Sequence, residues 1–99
     1  MPHPKPKPLT SLEELVLHTL ARQQLYGLEI MEALNTGRPF TPVRSGSLYP
    51  AIQRLVAKEY IATACIVTLP DAPDRIYYQI TPAGQEILQP LAAYRQNLA

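Results

Sequence analysis

The chain has 99 residues and a mass of 11.1 kDa, is 46% hydrophobic and 17% charged, and carries a formal net charge of +1. These values describe one domain with one modest core and exclude a polybasic tail, a polyacidic tail and a globally disordered chain. A single cysteine excludes a disulfide framework and a cysteine-based zinc site, and the small size fits poorly with an enzyme that must build a deep pocket from one chain.

The opening Met1-Pro2-His3-Pro4-Lys5-Pro6-Lys7-Pro8 holds four of the eleven prolines. It predicts an extended, polyproline-like or disordered arm over residues 1–9, outside the fold. Lys5 and Lys7 suit contact with a polyanion, although a plain solubilising terminus accounts for the segment more simply. No apolar run follows the lysines, so the segment is not a signal peptide. No stretch of the chain approaches the ~20 apolar residues of a membrane span. A cytoplasmic protein with no membrane partner is expected.

Residues 10–81 are expected to form the folded domain and 82–99 a last helix. Thr10 and Ser11 each precede a glutamate by three, Glu13 and Glu14, and both fit a capping box. The first helix should run to Gln23 or Gln24. Leu12, Leu15, Val16, Thr19 and Leu20 form its stripe at helical spacing. Leu17 and Ala21 lie off that stripe and predict a second contact surface. Leu25-Tyr26-Gly27 reads as a short connection. A second helix from Gly27 to Asn35 carries Leu28, Ile30, Met31 and Leu34, and Asn35-Thr36-Gly37 ends it.

After a loop from Arg38 to Arg44, Ser45 and Ser47 are both candidate N-caps for a third helix that reaches Lys58 or Glu59. Ser47 is favoured, because Pro50 then falls in the first turn, where its missing N–H costs nothing. Leu48, Ile52, Leu55 and Val56 share the buried side, and Tyr49, Pro50, Gln53, Arg54 and Ala57 share the opposite one. Ile61 to Leu69 and Arg75 to Ile80 predict two strands of a hairpin, joined by a five-residue loop from Pro70 to Asp74. Thr81-Pro82 supplies an N-cap and an N1 proline for the last helix. Ile87, Leu88, Leu91, Tyr94 and Leu98 continue that helix, and Pro90 should kink it. The order of helix, helix, helix, strand, strand, helix is a mainly α fold with a small β-hairpin, that of a winged helix-turn-helix.

Charge is segregated beneath the small net value. Residues 9–35 hold Glu13, Glu14, Glu29 and Glu32 against Arg22, a balance of −3; residues 36–58 hold Arg38, Arg44, Arg54 and Lys58 with no acid, a balance of +4. The basic segment is the third helix and the loop before it, where phosphate contacts with DNA would be needed. Gln53 suits adenine and Arg54 suits guanine in a major groove. Ser45, Ser47 and the helix N-terminus can donate to phosphates. A solvated polar face explains four cations in this stretch equally well.

These residues resemble the PadR family of bacterial transcription regulators. Leu12-Glu13-Glu14-Leu15-Val16-Leu17 is similar to that family's first helix, and Tyr26-Gly27-Leu28-Glu29-Ile30 to its YGYEI-type motif. Ser45-Gly46-Ser47-Leu48-Tyr49-Pro50-Ala51-Ile52-Gln53-Arg54-Leu55 is similar to its LYP-x-L-x-RL recognition helix. Arg75-Ile76-Tyr77-Tyr78-Gln79-Ile80-Thr81-Pro82-Ala83-Gly84 is similar to its wing-to-helix segment. The motifs span residues 9–89 in the family's order.

The resemblance implies a homodimer that represses transcription from a palindromic operator in double-stranded DNA. It implies Ser47, Tyr49 and Arg54 as DNA contacts; the charge pattern and the exposed helix face add Arg38, Arg44, Ser45, Pro50, Gln53, Lys58 and, in the wing, Arg75. It implies dimerisation through the first and last helices, at Leu17, Ala21, Leu88, Leu91, Tyr94 and Leu98. Three features depart from the family: an acidic wing tip, with Asp71 and Asp74 and Arg75 as its only base; Ile76 after Arg75, where the family often has Lys; and a short C-terminal helix. Stacked tryptophans that hold aromatic drugs in some small members have no counterpart, because the chain has no Trp. An effector of unassigned chemistry, in a pocket lined by Tyr94 and the last helix, stays open.

No cofactor or metal is expected. His18 follows Glu14 by four, but no further ligand lies near it in sequence, and Cys65 reads as a small strand residue. No phosphate loop, G-x-S-x-G or H-E-x-x-H is present, so an enzyme is not expected. The acidic tip and near-neutral charge motivate one alternative, a winged-helix protein-interaction module without specific operator binding.

Overall fold

The computed structural model describes residues 9–36 and 42–89. Thr10 is the cap chosen between the two candidates: its Oγ1 accepts from the Glu13 amide at 3.1 Å and opens α1, Ser11–Leu20. The helix stops at Leu20 rather than at Gln23 or Gln24. Leu25–Tyr26 is a two-residue strand, β1, where a plain connection was expected, and leads into α2, Gly27–Asn35. There Glu29 Oε1 accepts from the Tyr26 amide at 3.2 Å and holds the start of the helix. Helix α3, Ser45–Ala57, is followed by β2, Ile61–Leu69, and β3, Ala72–Ile80. Residues 82–89 form α4. Thr81 Oγ1 accepts from the Gly84 amide at 3.1 Å and caps α4, as expected.

The sheet is antiparallel with the order β1-β3-β2. Leu25 and Tyr26 pair with Tyr78 and Tyr77, and Ile61 pairs with Ile80. The wing is longer and tighter than expected, because Ala72, Pro73 and Asp74 join β3 and leave a two-residue turn at Pro70-Asp71. The register shifts between Val67 and Leu69, opposite the stretch from Ala72 to Arg75. Pro73 falls in that irregular stretch, where a residue without an N–H removes no regular ladder bond.

Helix α3 starts at Ser45, with Arg44 at its N-cap, three residues before the start that a Ser47 cap gives. The amides of Ser47 and Leu48 both donate to the Arg44 carbonyl, at 3.0 and 2.9 Å. Pro50 therefore lies inside the helix and denies Gly46 its i+4 donor. Gly46 is exposed, so solvent is at hand for its carbonyl. The far end of α3 closes in a Schellman turn: Tyr60 N donates to Leu55 O at 3.0 Å and Glu59 N to Val56 O at 2.9 Å. Glu59 takes the left-handed conformation, φ 64°, which suits glycine, and puts an acid at a helix C-terminus. Glu59→Gly is expected to stabilise the domain by about 1 kcal/mol, read as a Tm rise of about 4–8 °C in a thermal melt.

One core joins all layers. Val16, Leu17 and Leu20 of α1 meet Ile30 and Leu34 of α2, Leu48, Ile52 and Leu55 of α3, Leu25 and Tyr78 of the sheet, Ile61 and Leu88. The α3 division matches the helical-wheel expectation: Tyr49, Pro50, Gln53, Arg54 and Ala57 are all exposed. The α1 reading holds for Val16 and Leu20 and fails for Glu13 and Leu17. Its buried residues are Glu13, Val16, Leu17 and Leu20, and Leu12, Leu15 and Thr19 sit half-buried on the flank. Leu17 is a core residue, fully buried within the protomer, and not a spare outer surface. Leu28 is exposed rather than core-facing. Leu9, assigned to the arm, packs against the core.

Candidate nucleic-acid interface

The outward face of α3 is set by what lies behind it. Asn35, the last residue of α2, clamps the chain just before α3: its Nδ2 donates to the Val43 carbonyl at 3.0 Å and its Oδ1 accepts from the Val43 amide at 2.6 Å. One side-chain amide thus imitates a strand partner and fixes where Arg44 and the start of α3 stand. Arg44, Ser45 and Ser47 are exposed there. The first-turn amides without helical acceptors, the positive end of the helix dipole and the Arg44 guanidinium gather at one end of the helix, an arrangement suited to phosphate. Arg38 lies outside the described residues.

Tyr49 stands on Gly27. A Cβ there would lie 2.6 Å from Tyr49 Cε1, so the glycine of the Tyr26-Gly27 pair is required for the ring to pack against the start of α2. Behind it Tyr78 is buried. Burial raises its hydroxyl pKa, the nearby Tyr49 raises it further, and the Gln53 side chain works the other way. A groove of about 360 Å³ runs between α2, α3 and the wing, lined by Leu28, Tyr49, Tyr78 and Ile76 among others. Across it the Arg75 guanidinium lies over the Tyr26 ring, 4.8 Å from the centroid, and Tyr26 meets Tyr77 edge-on at 5.3 Å. Arg75 is exposed but held by the ring beneath it.

Two of the expected DNA cations turn inward. Glu13 is 1% exposed. Its Oε2 accepts from Lys58 Nζ at 2.7 Å and its Oε1 from Arg54 Nε at 3.4 Å. Arg54 keeps 47% of its side chain exposed, and Lys58 keeps 27%. Burial pushes the Glu13 carboxyl pKa up, but the Lys58 ammonium and the Thr10 hydrogen bonds outweigh it, and the net shift is downward. A depressed carboxyl stabilises the fold above its unfolded value and loses that contribution as pH falls through its folded value. Stability is therefore expected to hold from neutral pH down to the usual glutamate value of 4.5 and to fall below it. Acid titration of wild type beside Glu13→Gln checks this; the variant should lose part of the acid-dependent slope.

The expected dimer surface changes membership. Leu17 and Leu88 are buried in the protomer's own core. Leu17 faces inward because Glu13 occupies the inner stripe one turn earlier and rotates α1 towards it. Leu88 is drawn in by the packing of α4. Ala21 is exposed, and Leu91, Tyr94 and Leu98 lie outside the described residues. Glu13 and Asn35 are the residues that sequence reasoning missed as parts of the site. Glu13 precedes Val16 by three, Leu17 by four and Leu20 by seven, a helical stripe visible only if a carboxylate is admitted to it. Among the described residues no group of three His, Cys, Asp or Glu is placed to hold a metal, and no helix is long and apolar enough to cross a membrane.

No curated protein matches the chain. Its fold is similar to that of a PadR-like transcription factor from Bacteroides fragilis, at 29% identity and a TM-score of 0.77, over 88% of this chain and 82% of that one. It is similar to a PadR family transcription regulator from Clostridium difficile R20291, at 21% identity and 0.75, over 90% and 91%. It is also similar to Bacillus subtilis PadR, solved in complex with operator DNA, at 20% identity and 0.74, over 86% of this chain and 48% of that one. The model of the transcriptional regulator PadR-like family matches residues 16–90. By that match, and by its helix order, its wing and the packing of Tyr49 on Gly27, the chain belongs to the PadR-like family of transcriptional regulators.

Proposed function

We propose that the chain is a cytoplasmic, homodimeric repressor that binds a palindromic operator, with α3 in the major groove and the wing beside it. The observation that carries this reading is the outward face of α3, where Ser45, Ser47, Tyr49, Pro50, Gln53 and Arg54 are exposed together. The operator complex of Bacillus subtilis PadR supports it. Ser45, Ser47 and Arg44 hold phosphates, Gln53 and Arg54 read bases, and Arg75 serves the wing. Residues 10–81 form the DNA-binding unit, and 82–99 pair the protomers together with the Ala21 end of α1. Leu91, Tyr94 and Leu98 supply the apolar contacts. Two-fold symmetry sets the two α3 helices about 34 Å apart, one turn of DNA.

Fluorescence anisotropy with duplex DNA from immediately upstream of the gene, beside a scrambled duplex, tests the reading. The expected preference is about 10³-fold and survives near-physiological salt. Gln53→Ala and Arg54→Ala should erase the preference, and Arg44→Ala should weaken both duplexes alike. Equal, salt-labile binding to the two duplexes would sink the proposal. One observation favours a second reading, a protein-interaction module: the wing exposes Ile66, Val67 and Ile76 behind the acidic tip of Asp71 and Asp74. In that case Gln53→Ala and Arg54→Ala leave partner binding intact.

A further inference from the structure

We propose that Glu13, on α1 and away from the DNA-facing surface, is a specificity-positioning residue: it holds Arg54 by the Nε edge for base reading and withdraws Lys58 from the phosphates. This rests on the operator-binding reading above and adds to it a division of labour among the cations of α3.

The two contacts differ in kind. Lys58 Nζ lies 2.7 Å from Glu13 Oε2, a short charge-assisted bond to a carboxylate that is almost wholly buried. For Lys58 to reach a phosphate it would have to leave that carboxylate, which is costly because the buried charge loses its closest partner. Arg54 meets Glu13 Oε1 at 3.4 Å through Nε alone. A partner at Nε restrains the planar guanidinium and leaves its terminal amino groups for another partner. With 47% of the side chain exposed, Arg54 keeps surface for a second partner. Guanine O6 and N7 take two parallel donors in one plane, and a guanidinium already set in its plane loses less freedom on binding. Gln53 precedes it on the same exposed face, with Tyr78 beside it.

Charge supports the same division. One carboxylate faces two cations, and the more exposed of the two partners is Arg54. The Glu13 carboxylate also takes hydrogen bonds from Thr10, so the variant that tests its charge is Glu13→Gln, which keeps an oxygen acceptor at the helix start.

Selection from a randomised duplex pool, followed by sequencing, tests the inference whatever the operator sequence is. Wild type should enrich a motif with a guanine in each half. Glu13→Gln should enrich the same motif with preference lost at that guanine, about tenfold in discrimination, and Arg54→Lys should lose it as well. Lys58→Met should leave the slope of affinity against salt unchanged, whereas Arg44→Ala lowers it by about one unit. A Glu13→Gln motif identical to wild type, or a Lys58→Met slope reduced as far as that of Arg44→Ala, overturns the assignment. A wild type that enriches nothing overturns operator binding itself and the inference with it. One readout needs no variant to fold: the Arg54 Nε–H of the wild-type protein should exchange with water more slowly than that of exposed Arg22. Equal rates would overturn the proposal.

Discussion

Leu17→Ala is expected to unfold the protomer rather than to separate two protomers. Leu17 has no exposed surface and packs in the cluster that joins Leu20, Ile30, Ile52 and Leu55. Truncating a buried leucine costs about 2–5 kcal/mol, through lost transfer energy and the cavity left behind. A domain of this size holds about 5–15 kcal/mol in all, so the variant should melt at least ~8 °C lower. Thermal melts at two protein concentrations separate the alternatives. A core defect lowers Tm at both concentrations and keeps any concentration dependence that wild type has, whereas a purely interfacial defect removes that dependence, because the protomer then melts alone. A melt that matches wild type at both would return Leu17 to the surface.

Gly84→Ala should destabilise through a collision rather than a cavity. A Cβ at Gly84 would run into the Tyr60 carbonyl oxygen and lie 2.7 Å from Ile80 Cγ1. The carbonyl has little freedom to retreat, because it accepts the Thr81 amide at 3.0 Å. Thr81 is tied in turn by its Oγ1 donating to the Glu59 carbonyl at 2.6 Å. Overpacking of this kind costs about 3 kcal/mol. The gain in helix propensity from glycine to alanine, about 1 kcal/mol, offsets only part of it. Urea titration should show a lower midpoint with an unchanged slope. A midpoint equal to wild type would mean that α4 can shift away from the turn after α3.

Much of the fold was legible because its signals are local. Thr10 and Thr81 announce their helices through bonds to residues three positions on. The α3 periodicity placed Tyr49, Gln53 and Arg54 outward because its buried residues are all apolar. What escaped depends on partners distant in sequence. Glu13 enters the core because Arg54 and Lys58 arrive 41 and 45 residues later to meet it, and no window around α1 contains them. The reading of Leu17 failed for the same reason, since excluding a carboxylate from the stripe turned the helix the wrong way. Leu25-Tyr26 has no strand signal of its own and becomes β1 only when Tyr77 and Tyr78 come alongside. The early start of α3 escaped because Asn35 grips Val43 from the preceding helix, an interaction without a motif.

The contacts of Tyr26 have a mechanical consequence. This residue pairs with Tyr77, lies beneath Arg75 and leads directly into the helix on which Tyr49 rests. The wing and the reading helix are therefore cross-braced through one aromatic joint, and neither can tilt alone without tearing it. Compliance within a single reading head is low. For the dimer proposed above, adaptation to operators of different spacing would then act on the distance and twist between the two heads rather than on the shape of either.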